Sequence, residues 1–65
     1  MSIVFKPEMA LILGKTEAEL DSFEAEGMPG VSMEERPGTI TVKRYDTALI
    51  ITWYIERSVR RRLAH

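Results

Sequence analysis

The chain has 65 residues and a formal net charge of −1, which allows one domain, residues 1–65, with one small core; a domain of this size buries only about 60% of its unfolded surface. It has no cysteine and one histidine, the terminal His65. That excludes disulfides and cysteine-ligated zinc, and it leaves no His- or Cys-based catalytic pair. No stretch approaches the ~20 apolar residues of a membrane span, and the N-terminus lacks the basic start, apolar run and cleavage site of a signal peptide, so a cytoplasmic location is expected.

The opening Ser2 to Phe5 is apolar and β-branched, which suits a short strand or an extended arm. Pro7 fits the first position of a helix, where its missing N–H costs nothing. Glu8 in that turn complements the helix dipole. This first helix spans about 7–13 and ends at Gly14.

Thr16-Glu17-Ala18-Glu19 reads as a capping box, a Thr cap answered by Glu three residues on. It opens a second helix over about 16–26, with Leu20, Phe23 and Gly27 on one stripe. Gly27 stops that helix and Pro29-Gly30 prevents its continuation. Two short helices joined by a three-residue turn form the outline of a helix-turn-helix.

A Gly-, Pro- and Glu-rich loop runs from Met28 to Gly38. Thr39 to Tyr45 then alternates, with Ile40, Val42 and Arg44 set against Thr39, Thr41 and Lys43. The segment is β-branched enough to be a strand. Pairing with Val31 to Met33 would make a hairpin over about 31–45, the element called a wing when it follows a helix-turn-helix. Asp46 then caps a third helix over about 46–62. That helix carries Ala48, Ile51, Ile55 and Val59 on one stripe, with Leu49, Trp53 and Tyr54 beside it. This apolar arc is too wide for one buried side and calls for cover from the domain or from a second copy. The expected dimer interface is Ile51, Trp53, Tyr54, Ile55 and Val59.

The charge is strongly divided. Residues 1–35 carry a net −6 and residues 36–65 a net +5, an asymmetry that suggests a charged partner. The acids Glu17, Glu19, Asp21, Glu24 and Glu26 read as a solvated helix face rather than a metal site, since calcium draws its ligands mainly from loops. Gly27-Met28-Pro29-Gly30 lacks the spacing and the lysine of a phosphate-binding loop. No enzyme activity and no cofactor are expected. Arg57, Arg60 and Arg61 share one face of the last helix, and Arg62 extends the cluster. Such a set could clamp phosphates with salt-dependent affinity.

The stretch Leu11-Ile12-Leu13-Gly14-Lys15-Thr16, then Leu20, Phe23 and Glu26-Gly27-Met28-Pro29, resembles the winged helix-turn-helix of the small terminase subunits of lambda-like bacteriophages. Tyr45-Asp46-Thr47-Ala48, then Ile51, Trp53-Tyr54 and Glu56-Arg57, resembles the helix after the wing in the same family. The two matches are in order and cover most of the chain. They imply an α+β fold, a small winged helix-turn-helix of three helices with a short β-hairpin wing, of phage or prophage origin. They also imply a dimer that binds double-stranded DNA at packaging sites and delivers it to a large terminase subunit. The second helix would be the recognition helix. DNA contacts would come from Lys15, Thr16 and Ser22, from Arg36, Lys43 and Arg44 on the wing, and from Arg57, Arg60, Arg61 and Arg62. Glu17 and Asp21 on the outward side of the recognition helix can accept from cytosine but repel phosphates. That opens one alternative, a protein-interaction module using its acidic second helix; the resemblance opens another, a small regulator, since related winged domains occur in MerR-type regulators and phage excisionases.

Overall fold

A computed structural model describes residues 2–35, 37–38 and 41–64. The elements are β1 (Ile3–Val4), α1 (Lys6–Leu13), α2 (Glu17–Glu26), β2 (Val31–Glu34), β3 (Val42–Asp46) and α3 (Thr47–Leu63). The fold is α+β, three helices with a three-stranded antiparallel sheet in the order β1-β3-β2. The opening arm is therefore a strand, and the hairpin is not alone. Val4 pairs with Tyr45 and Ile3 with Asp46 along one edge of β3. Along the other edge, Val31 pairs with Tyr45 and Glu34 with Val42.

Local chemistry explains where the helices begin and end. α1 starts one residue earlier than the sequence suggests, at Lys6, which places Pro7 second. Gly14 ends it at φ 68°. The Gly14 N–H donates to the Leu11 carbonyl and the Lys15 N–H to the Ala10 carbonyl, a Schellman closure that uses up orphan carbonyls. α2 repeats the device: Gly27 lies at φ 103°, and the Met28 N–H donates to the Phe23 carbonyl at 3.1 Å. Its N-terminus has the full capping box between Thr16 and Glu19. Asp46 caps α3 by accepting from the Leu49 N–H at 3.3 Å.

β3 begins at Val42 rather than near residue 39, and Thr39 and Ile40 lie outside the described residues. Among β3 residues the buried one is Tyr45, not Val42 or Arg44. The core is Met9, Ala10, Leu20, Phe23, Met28, Tyr45 and Ile50, with Val4, Leu13, Val31, Trp53 and Tyr54 packed against it. In α3 the buried contact is Ile50, one residue off the expected stripe. Ile51, Ile55 and Val59 of that stripe are 37%, 57% and 49% exposed. From Val59 to Ala64 every residue is exposed. A helix of 17 residues is about 25 Å long, half of the molecule's longest dimension of 49 Å, against 23 and 18 Å across.

Candidate nucleic-acid interface

α2 turns Leu20 and Phe23 into the core. At 100° per residue its opposite side carries Ala18, Ser22 and Ala25, all exposed. Acids flank that uncharged strip, and three of them are answered by a cation from a different element. Lys6 of α1 pairs with Asp21. Lys43 of β3 donates to Glu24 Oε1 at 2.7 Å, while the Tyr45 hydroxyl donates to Glu24 Oε2 at 2.9 Å. Arg57 of α3 donates from Nε and Nη2 to both oxygens of Glu26, at 2.8 and 2.9 Å. Glu19 is occupied in the capping box.

These contacts set the electrostatics. The hydrogen bond from Lys6 holds the Asp21 carboxyl below its ordinary value, and the Arg57 guanidinium does the same for Glu26. The Thr16 backbone N–H lowers Glu19. Glu24 raises the Lys43 amine. Burial, followed by the bond to Glu24, pushes the Tyr45 hydroxyl up.

A carboxyl with a depressed folded-state pKa stabilises the fold above its unfolded value, and that contribution disappears as pH falls through the folded value. The ordinary values here are 3.8 for Asp21 and 4.5 for Glu26. The urea midpoint should therefore be flat above the ordinary carboxylate range and fall below it. The double variant Asp21→Asn, Glu26→Gln should lose less on acidification than the wild type; an identical acid loss would show that these pairs do not couple folding to pH.

Of the expected phosphate contacts, several are committed within the chain. The Arg57 side chain is only 13% exposed, with its guanidinium 4.7 Å from the Phe23 ring centroid and 5.9 Å from that of Trp53. Lys43 is tied to Glu24. Arg44, whose side chain leaves the strand on the opposite face, pairs with Glu34 at 3.0 Å and stacks 4.8 Å over Phe5. Its Nε is buried with no hydrogen-bond partner among the described residues. The Thr16 hydroxyl is the helix cap, and Ser22 is exposed on the outer strip. Arg36 lies outside the described residues.

Lys15 sits with its amine 5.9 Å from the Tyr54 ring centroid. Arg60, Arg61 and Arg62 are exposed on the last turn of α3, and no carboxylate forms a salt bridge with them among the described residues. Of the five expected dimer residues, Trp53 and Tyr54 are part-buried within the chain itself, each ring 5.7 Å from that of Phe23. Ile51, Ile55 and Val59 face outward.

A shallow pocket of about 400 Å³ separates the start of α1 from the β2–β3 hairpin, with Phe5, Pro7, Met33 and Val42 in its wall beside Lys6 and Lys43. Among the described residues no three acidic or histidine side chains converge as a metal site would require. Among the described residues no helix is long and apolar enough to cross a membrane.

Lys6 and Tyr45 had no place in the site as read from the sequence. The parity of β3 puts Tyr45 on the same face as Lys43, and that was the available signal for the shared Glu24. Nothing local marked Lys6 as the partner of Asp21, 15 residues away. No protein-family model, curated protein or solved structure matches the chain.

Proposed function

We propose that the chain is a DNA-binding domain of winged helix-turn-helix type, of phage or prophage origin, acting as small terminase subunits do when they bring viral DNA to the packaging machinery. The observation that carries the reading is the internal pairing of three α2 acids. Asp21, Glu24 and Glu26 each hold a cation of another element, and the outermost strip of the helix is the uncharged Ala18, Ser22 and Ala25. Three of the five acids that would repel a phosphate backbone are thereby offset, while Glu17 and Glu19 hold no cation among the described residues. The same pairing weakens the alternative in which an acidic second helix captures a basic partner.

The joints of the fold add support. Glu26-Gly27-Met28-Pro29 makes the turn out of α2, where Met28 is buried, and Tyr45-Asp46 makes the turn into α3, where Tyr45 is buried and Asp46 is the cap. These segments carry the resemblance to small terminase subunits, so that resemblance lies in residues that set the relative placement of α2, the hairpin and α3. In this reading a second copy covers Ile51, Ile55 and Val59.

Anisotropy titration of a labelled mixed-sequence duplex should give saturable binding at about 50 mM salt that weakens steeply towards 200 mM. Sedimentation of the same sample at micromolar concentration should give a dimer. No binding above background at low salt overturns the DNA reading, and a monomer throughout overturns the pairing of copies.

A further inference from the structure

Resting on that DNA-binding reading, we propose that the phosphate-gripping surface of this chain is a strip along the projecting end of α3, made by Lys15, Arg60, Arg61 and Arg62, and not the surface of α2 or the hairpin strands.

The argument is one of elimination followed by geometry. Lys6, Lys43, Arg44 and Arg57 each hold a carboxylate of this chain. To bind a phosphate they would have to release it and leave that acid facing the DNA. Lys15, Arg60, Arg61 and Arg62 carry no such bond among the described residues.

These four come from two places in the sequence and meet on one helix. Lys15, in the turn between α1 and α2, lies over Tyr54. Arg61 follows Tyr54 at i+7, so it continues that face two turns further on. At 1.5 Å per residue the strip runs about 10 Å along the axis from Tyr54 to Arg61. A duplex carries one phosphate per about 3.4 Å of each strand, so the strip spans several phosphates. Arg60 and Arg62 leave the helix about 100° to either side of Arg61, so their long side chains flank that line from its two sides. All three arginines are exposed, and this end of α3 projects from the compact part of the molecule. Cations at a helix C-terminus also complement its dipole, but that effect needs one charge, not three, and gives no reason for Lys15 to lie on the same face.

Each phosphate neutralised contributes about −0.9 to the slope of log K against log salt. Four contacts predict a slope of about −3.6 per protomer. The triple variant Arg60→Gln, Arg61→Gln, Arg62→Gln should flatten that slope by about 2.7 and lower affinity at least tenfold in 100 mM salt. These side chains are exposed and form no salt bridge among the described residues, so its circular dichroism and thermal midpoint should stay near wild type. The triple Lys variant at the same positions should restore the slope, because it keeps the charge.

The probe is the same labelled mixed-sequence duplex, with the full chain. If the wild type binds and the Gln variant binds with an unchanged slope and affinity, the strip is wrong while the DNA reading stands. If the wild type itself does not bind, both fail. A Gln variant that loses binding together with its folded circular dichroism, and is not rescued by Lys, also overturns the strip, since a structural role would then account for the arginines.

Discussion

Phe23→Ala should destabilise the chain by about 3–5 kcal/mol at 25 °C. Phe23 is 6% exposed, and three side chains of α3 rest on its ring: Trp53 and Tyr54 at 5.7 Å and the Arg57 guanidinium at 4.7 Å. Truncating a buried Phe costs about 3–5 kcal/mol. A 65-residue domain has roughly 3–10 kcal/mol of total stability at 0.05–0.15 kcal/mol per residue. One substitution therefore removes between about a third of that stability and all of it. The loss is concentrated because Phe23 is where α2 meets α3, and because Arg57 would keep its bond to Glu26 with the nearer of its two rings removed. Urea unfolding followed by the emission of Trp53, the only tryptophan, reports directly on this joint. A loss under about 1 kcal/mol, the ordinary size for a point substitution, would show that α3 does not depend on Phe23. Phe23→Leu, which keeps most of the volume, should recover a large part of the loss.

Gly30→Ala should cost more than Gly38→Ala, although both residues sit at positive φ, 80° and 72°. A side chain in the left-handed region costs about 1–2 kcal/mol at either site. At Gly38 an added Cβ meets nothing within 4 Å, and the conformational cost is the whole effect. At Gly30 it meets Leu49 Cβ at 3.2 Å, the Asp46 carbonyl oxygen at 3.3 Å and Ile50 Cγ1 at 3.3 Å. Two of those three neighbours are backbone or Cβ atoms that cannot swing aside. The Gly30 carbonyl also accepts from the Asp46 N–H at 2.8 Å. Pushing Gly30 outward therefore pulls on the residue that caps α3. We expect Gly30→Ala to lose at least ~1 kcal/mol more than Gly38→Ala, the scale of a strained packing change. Equal losses in urea titrations would mean that the β2–α3 contact yields easily.

The parts of the fold legible in the sequence were those written in local chemistry. Thr16 with Glu19, Gly14, Gly27 and Asp46 mark helix ends through bonds that span three or four residues, and each was found where the pattern put it. The pairing of residues 31–33 with the second strand followed from alternation. What stayed hidden was long-range. Ile50 is buried because β3 delivers α3 at a particular angle, and periodicity alone had no reason to prefer it to Ile51. The ion pairs join residues 15, 19 and 31 positions apart. The division of charge between the halves was visible, but not that Lys43 and Arg57 of the basic half are spent on Glu24 and Glu26 of the acidic one. Arg57 illustrates the limit: on a helical wheel it belongs with Arg60 and Arg61, and only the position of Phe23 turns it inward.

The ion pairs of α2 have a consequence for how this sequence can vary. Glu24 answers Lys43 with one oxygen and Tyr45 with the other, Glu26 answers Arg57 with both, and Asp21 answers Lys6. A reversal of sign at 21, 24 or 26 would set two cations side by side unless position 6, 43 or 57 reversed with it. The substitutions open to this fold are thus joint ones. A version with a basic second helix would need acids at the start of α1, in β3 and midway along α3, so that the sign of one helix is recorded in three other elements.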